Sequence, residues 1–201
     1  MFNVCPNCGD YRPDREIHHE EQVAVCACGD RQAFRPGPLL LVGGASGTGK
    51  STVINQLRYR ELPVIPLDGD ILWCEAFRQE LRGVAERWLR LAKNIGMSGK
   101  PVMLFDGGLV VPQNIEPCVE RRYFSEIHRL ALVCDGDTLK KRLQARPEWR
   151  GASNPEVLEA QLNFNAGLKK IEGIELVDTT SISVDASAER VVNWMYRALS
   201  G

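Results

Sequence analysis

The chain has 201 residues, 44% of them hydrophobic and 25% charged, with 25 basic side chains against 26 acidic and a formal net charge of −1. This is the length of one ordinary domain, or of one domain with a small appendage, and the composition is that of a globular protein with a substantial core. A strongly basic nucleic-acid binder is excluded, and so is a membrane-spanning helix, because no apolar run approaches the roughly 20 residues that a bilayer requires.

The N-terminal Met1-Phe-Asn-Val-Cys-Pro6 has neither the basic nor the apolar region of a signal peptide, so a cytoplasmic location is expected. Two cysteine pairs follow, Cys5-Pro-Asn-Cys8-Gly9 and Cys26-Ala-Cys28-Gly29. In each, a glycine after the second cysteine suits a tight turn that points two sulfurs at one ion. The 17 residues between Cys8 and Cys26 are enough for a short hairpin that joins the two turns. Four thiolates make a closed tetrahedral zinc site, so residues 1–36 read as a zinc ribbon with Cys5, Cys8, Cys26 and Cys28 as ligands. His18 and His19 lie between the pairs; they could replace one sulfur, but read rather as hairpin residues. So short a segment cannot bury enough apolar surface to fold alone, and the metal is expected to supply much of its folding free energy.

Arg35-Pro36-Gly37-Pro38 reads as a linker, and residues 37–201 as the second domain. Leu39-Leu-Leu-Val42 is a buried strand. It runs directly into Gly43-Gly-Ala-Ser-Gly-Thr-Gly-Lys-Ser-Thr52, which contains G-x-x-x-x-G-K-[ST] from Gly44 to Ser51. A helix over residues 50–60 follows. Strand, glycine loop and helix N-terminus in this order form a phosphate site, with the backbone N–H groups of Gly44, Ala45, Ser46, Gly47, Thr48, Gly49 and Thr52 facing the oxygens. Lys50 reaches the β- and γ-phosphates, and the Ser51 hydroxyl can ligate Mg²⁺. A nucleoside triphosphate is the expected ligand.

Beyond the loop, apolar strands alternate with helices. Strands are expected over residues 63–67, 101–105, 129–134 and 174–177, and helices over 71–92, 138–146, 154–170 and 186–199, with Asn154 and Pro155 as cap and first helical residue. Five such strands predict a parallel sheet covered on both faces. Ligands of such sheets bind beyond the carboxyl ends of the strands. Three strands end there in carboxylates: Asp68-Gly-Asp70, Asp106-Gly-Gly108 and Asp178-Thr-Thr180. Asp106 is a candidate magnesium ligand. Asp68 or Asp70 is a candidate for orienting an acceptor hydroxyl or taking its proton, and Asp70 also suits a helix cap. The basic run Lys140, Lys141, Arg142, Arg146 and Arg150 is broken by Pro147 and followed by Gly151, as in a mobile lid. Its guanidiniums suit the negative charge of a transferring phosphoryl group. Trp73 is a candidate wall of the acceptor pocket. Trp88, Trp149 and Trp194, with Cys74, Cys118 and Cys134, read as packing residues.

In this order the motifs resemble the P-loop kinases of nucleosides and nucleotides, over residues 38–199. Leu67-Asp-Gly-Asp70 is similar to the acceptor-side motif of adenylylsulfate kinases, and its D-x-D to that of shikimate kinases. Arg142-Leu-Gln-Ala-Arg146 is similar to the R-L-x-x-R lid helix of many such kinases. The resemblance implies an α/β three-layer P-loop NTPase sandwich with a five-stranded parallel sheet. It implies ATP and Mg²⁺ as cofactors, and places Asp178, Thr179 and Thr180 near the adenine. The implied activity is transfer of the γ-phosphoryl group to a hydroxyl or phosphate of a small acceptor, a nucleoside or nucleotide. An N-K-x-D guanine motif and a second acceptor domain are both missing from the sequence, and the zinc ribbon is foreign to the simplest members of the group. The alternative is a ribbon-tethered ATPase or polynucleotide kinase with a protein or nucleic-acid partner. Charge does not favour it: residues 1–36 hold four arginines against six acidic side chains.

Overall fold

Leu39, Leu40, Leu41 and Val42 run through the centre of a five-stranded parallel sheet and are at most 1% exposed. The computed structural model describes residues 3–72, 80–147, 151–152 and 154–201. A small antiparallel sheet comes first, formed by β1 (Glu16–His18), β2 (Val23–Val25) and β3 (Arg31–Ala33) in that order. The large sheet contains β4 (Gly37–Gly43), β5 (Ile65–Asp68), β6 (Val102–Phe105), β7 (Phe124–Val133) and β8 (Glu175–Asp178), in the order β5-β6-β4-β7-β8. Among the described residues six α-helices accompany them: α1 (Lys50–Leu57), α2 (Leu81–Gly96), α3 (Pro112–Ile115), α4 (Gly136–Gln144), α5 (Pro155–Leu168) and α6 (Val184–Ser200).

Alternation along the strands divides the core. Leu40 and Val42 of β4, with Met103, Phe105, Leu130 and Leu132, pack on Val53, Ile54 and Leu57 of α1 and on Val191, Trp194 and Met195 of α6. Leu39 and Leu41, with Val102 and Leu104, pack on Val84, Ala85, Trp88 and Leu89 of α2. Side chains of a strand point alternately to its two faces, so one apolar run builds both layers. The three-layer parallel arrangement expected from the sequence is present. Trp88, Trp194, Cys118 and Cys134 are buried, as packing residues should be. Among the described residues no helix is long and apolar enough to cross a membrane.

Several boundaries differ from expectation for identifiable reasons. Within the helix expected over 71–92, the chain forms a 3-10 turn at Gly69–Leu72 and α2 over Leu81–Gly96, and residues 73–79 of that expectation lie outside the described residues. The Asp68 carboxylate accepts the Asp70 backbone N–H at 3.1 Å and turns the chain there. Trp73, Cys74, Trp149 and Arg150 lie outside the described residues. β7 begins at Phe124, five residues before the expected start at Arg129, because its polar first half pairs with β4 from Gly37 onward. Gly37 and Pro38, read as linker, therefore belong to the sheet. α1 ends at Leu57 and α4 at Gln144, so Arg146 lies just beyond the helix that was expected to carry it.

The N-terminal segment is docked on the back of α2 and on a 3-10 turn at Val119–Tyr123. Lys93 and Glu120, both with side chains 0% exposed, form an ion pair of 2.6 Å, and the Lys93 ammonium also donates to Asn3 Oδ1 at 2.6 Å. Arg90 donates to Glu120 at 2.8 Å. The Tyr123 hydroxyl donates to the Pro13 carbonyl at 2.7 Å, and Phe34 packs edge-on against the Tyr123 ring. Burial pulls the Lys93 pKa down, and Glu120 offsets that pull. A buried pair of this kind is costly to break on one side, because the other charge is stranded. Glu120→Ala should lower unfolding free energy by about 3–5 kcal/mol in urea titrations. A loss below about 1 kcal/mol would mean that the pair does not hold the segment on the core.

Candidate active site and cysteine cluster

The loop after β4 is shaped by crowding. Gly44 adopts a φ of +143°, and a Cβ there would stand 2.5 Å from the Leu132 carbonyl and 2.6 Å from Thr48 Oγ1. No other residue type fits this position. The loop then enters α1 through Gly49. The Lys50 ammonium folds back over the loop, donating to the Gly44 carbonyl at 2.6 Å and to the Ala45 carbonyl at 3.2 Å. Burial lowers the Lys50 pKa, while Asp106, Asp70 and Asp68 act in the opposite sense. Ala45 is buried against Leu139 and Leu143 of α4 and backs the loop.

The carboxylates converge at the ends of β5 and β6. Asp68 and Phe105 are register partners, which puts Gly69 and Asp70 beside Asp106. A Cβ on Gly69 would stand 2.7 Å from Asp106 Oδ2 and 2.9 Å from the Phe105 carbonyl, so glycine is what lets the two strand ends meet. Asp106 Oδ1 accepts the backbone N–H groups of Gly108 and Leu109, each at 2.8 Å. Burial raises the Asp106 pKa, and these two donors together with Lys50 oppose the rise.

On the opposite side, Arg142 donates to Thr179 Oγ1 at 3.1 Å and to the Thr179 carbonyl at 2.7 Å. The buried Thr179 hydroxyl lies 3.0 Å from the Thr48 carbonyl, tying the end of β8 to the loop. Arg146 donates to Ser46 Oγ at 2.7 Å. Lys140 and Lys141, in the same basic run, are exposed on α4.

Two adjoining cavities meet here. One, of about 650 Å³, is lined by Gly44, by residues 46–52 and by Arg142, Arg146 and Thr179. The other, of about 900 Å³, opens towards α2 and the 112–118 segment, with an apolar wall that includes Leu81, Val84, Pro117 and Cys118. Ser46, Asp70, Gly107, Gly108, Arg146 and Gln161 line both. Asp68 lines neither of these two, because its carboxylate is turned to the Asp70 backbone. Lys50, Asp70, Asp106, Arg142, Arg146 and Thr179 are thus brought around one crevice from five separate places in the chain.

The chain shares its fold with solved kinases. A sugar kinase from Janibacter sp. HTCC2649 superposes with a TM-score of 0.57 at 19% identity, over 82% of this chain and 98% of that one. A gluconokinase from Sinorhizobium meliloti 1021 superposes with a TM-score of 0.54 at 17% identity, over 82% of this chain and 94% of that one. No protein-family model matches the chain, and comparison with curated proteins gives no match.

Sequence reasoning did not single out Gln161, whose Oε1 accepts the Ser46 backbone N–H at 2.7 Å, or Arg82 and Asn114, which line the larger cavity. No local pattern marks these residues, since a glutamine on an amphipathic helix reads as solvated surface.

The second cluster lines neither cavity. The sulfurs of Cys5, Cys8, Cys26 and Cys28 lie within 4.8 Å of one another, with Cys5–Cys28 at 3.7 Å and Cys8–Cys26 at 3.8 Å. Thiolates about 2.3 Å from one tetrahedral ion stand about 3.8 Å apart, so the donor set fits such an ion. The Asp30 backbone N–H and the Asn7 carboxamide pull the Cys28 pKa down to about 6, while, against the pull of nearby backbone N–H groups, burial and the neighbouring thiols push Cys5 up to about 12 and raise Cys8. His18 faces Glu16 and Glu21 instead.

Proposed function

We propose that this chain is an ATP- and Mg²⁺-dependent kinase that transfers the γ-phosphoryl group to a hydroxyl, or a phosphate, of a small acceptor, a nucleoside or nucleotide. The observation that carries this reading is the pair of cavities sharing Asp70, Arg146 and the two glycines after Asp106. One cavity is built on a phosphate loop, and the other has room for a second small molecule. The fold shared with a sugar kinase and a gluconokinase supports it.

In this reading residues 44–52 hold the triphosphate, except that the Ser46 N–H, expected to face phosphate, is taken by Gln161 Oε1, and Lys50 lies over the β- and γ-phosphates. Ser51 and Asp106 would hold a magnesium ion, which would supply charge neutralisation at the phosphates. Thr179 closes the nucleotide side. Asp70 accepts a hydrogen bond from the acceptor hydroxyl and aims an oxygen lone pair at the γ-phosphorus. The new P–O bond forms as the bond to ADP breaks, and the hydroxyl proton passes to Asp70. Arg142 and Arg146 face the charge that spreads over the moving oxygens. Asp68 serves by holding Asp70 in place. The apolar wall of the larger cavity suits a base, and its polar seam suits the hydroxyl that reacts.

The test is a panel of nucleosides, nucleotides, sugars and antibiotics incubated with ATP, read by ADP release and by the mass of the product. One or more small acceptors should gain a phosphoryl group. ATP turnover that requires a macromolecule would overturn the reading.

We assign residues 1–36 to a zinc ribbon and residues 37–201 to the kinase domain, in a cytoplasmic protein. Metal analysis should find about one zinc per chain on the four cysteines. Chelation should melt the small sheet and release the segment from α2, visible as new proteolytic cleavage before residue 36. Carefully prepared protein without zinc would overturn the assignment.

A further inference from the structure

Gln161 sits where neither the phosphate loop nor the carboxylates explain it. The backbone of α5 is pinned to the end of β7 by Asn165, whose side chain accepts the Cys134 N–H at 3.2 Å and donates to the Cys134 carbonyl at 2.8 Å. Asn165 is 3% exposed. Residues four apart share one helix face, so this anchor carries Gln161 to the mouth of the loop. Leu158 and Leu162 of the same helix pack on the cluster formed by Ala45, Leu139 and Leu143. The Gln161 carboxamide is therefore held by a fixed helix.

Its orientation is also dictated. The Ser46 N–H can only donate, so the atom facing it at 2.7 Å must be the oxygen, and the NH₂ group points elsewhere. Among the described residues that NH₂ group has no hydrogen-bond partner, and Gln161 lines both cavities. The boundary between a donor site and an acceptor site is where a transferred group must pass. Ser46, with Arg146 on its hydroxyl, marks the same boundary.

We infer that Gln161 is a substrate-binding residue whose Nε2 donates a hydrogen bond to the terminal phosphoryl group of the nucleotide, with Oε1 held by the Ser46 amide. The inference rests on the kinase reading and adds to it a neutral donor beside Arg146. Such a donor recognises a nucleoside triphosphate over a diphosphate, because only the triphosphate reaches the seam.

The test needs no acceptor. Binding of ADP and of the β,γ-imido analogue of ATP is measured with Mg²⁺ for wild type, Gln161→Met and Gln161→Glu, after melting curves establish that each is folded. Methionine keeps the length and removes both hydrogen-bonding functions. Glutamate keeps an oxygen for the Ser46 N–H and removes the donor. Each variant should bind the analogue about tenfold or more weakly, since a hydrogen bond to a charged group is lost, and should bind ADP within about twofold of wild type. Equal losses for both nucleotides, or no loss, would reduce Gln161 to a support of the loop and overturn the inference. Tighter analogue binding would make Gln161 a plug of the site, and would overturn it too. If wild type bound neither nucleotide, the kinase reading itself would fail.

Discussion

Lys50→Ala should reduce phosphoryl transfer by about three orders of magnitude or more while leaving the fold in place. The lysine is the one ammonium of the glycine-rich loop, and its hydrogen bonds among the described residues go to two backbone carbonyls of that loop. Removing it deletes two hydrogen bonds, worth about 1 kcal/mol each net, and opens no apolar cavity. Its functional weight is larger, because a charge placed over phosphates in a partly desolvated crevice is not replaced by water of equal strength. The carboxylates of Asp106 and Asp70, which Lys50 now offsets, would also repel the nucleotide in the variant. The measurement is ADP release with the best acceptor, alongside a thermal melt. Normal turnover in the variant would remove the phosphate loop from the mechanism.

Asp70→Asn should lower kcat by about two to four orders of magnitude with nucleotide affinity within about threefold of wild type. Asp70 is exposed at the seam of the two cavities, and its carboxylate makes no hydrogen bond to another described residue. Asparagine keeps the shape and loses the basic oxygen, so a hydroxyl is still bound but no longer deprotonated. Asp68→Asn should cost less, since its amide oxygen can still accept the Asp70 N–H. Single-turnover rates and nucleotide titrations separate chemistry from binding. A fully active Asp70→Asn would leave Asp70 as a turn residue and turn attention to Asp106. Asp106, however, already accepts two backbone N–H groups, which fits a held ligand better than a mobile base.

Much of this site was legible because its parts are local. The glycine-rich loop proposed to hold phosphate is ten consecutive residues between a strand and a helix, and steric demands at Gly44 are written into the glycine itself. The four cysteines were legible because thiolate chemistry constrains their spacing. Asp68 and Asp106 were singled out because each ends an apolar run, and Asp70 because it follows Asp68 by one glycine; of the three, Asp70 and Asp106 line the cavities and Asp68 does not. Other features are not local. The first half of β7 is polar and reads as loop; only its pairing with β4 makes it a strand. The periodic stretch from Ile71 put the expected helix start at residue 71, whereas the 3-10 turn at Gly69–Leu72 depends on where β5 stops beside β6. Gly69 looks like an ordinary turn glycine until Asp106 is set against it.

The sequence by itself determined the alternating α/β architecture, the glycine-rich loop at the end of a central strand, the arginine-bearing segment after β7, and the paired cysteine turns. These follow from period, spacing and side-chain chemistry within about twenty residues. The tertiary structure decided that the N-terminal segment rests on α2 through Lys93, Glu120 and Asn3, and that Arg142 reaches Thr179 while Arg146 reaches Ser46. It also decided that Gln161 meets the loop 115 residues away. The physical reason is common to all of these: each contact joins groups far apart in the chain, whose meeting is set by how helices pack on the sheet.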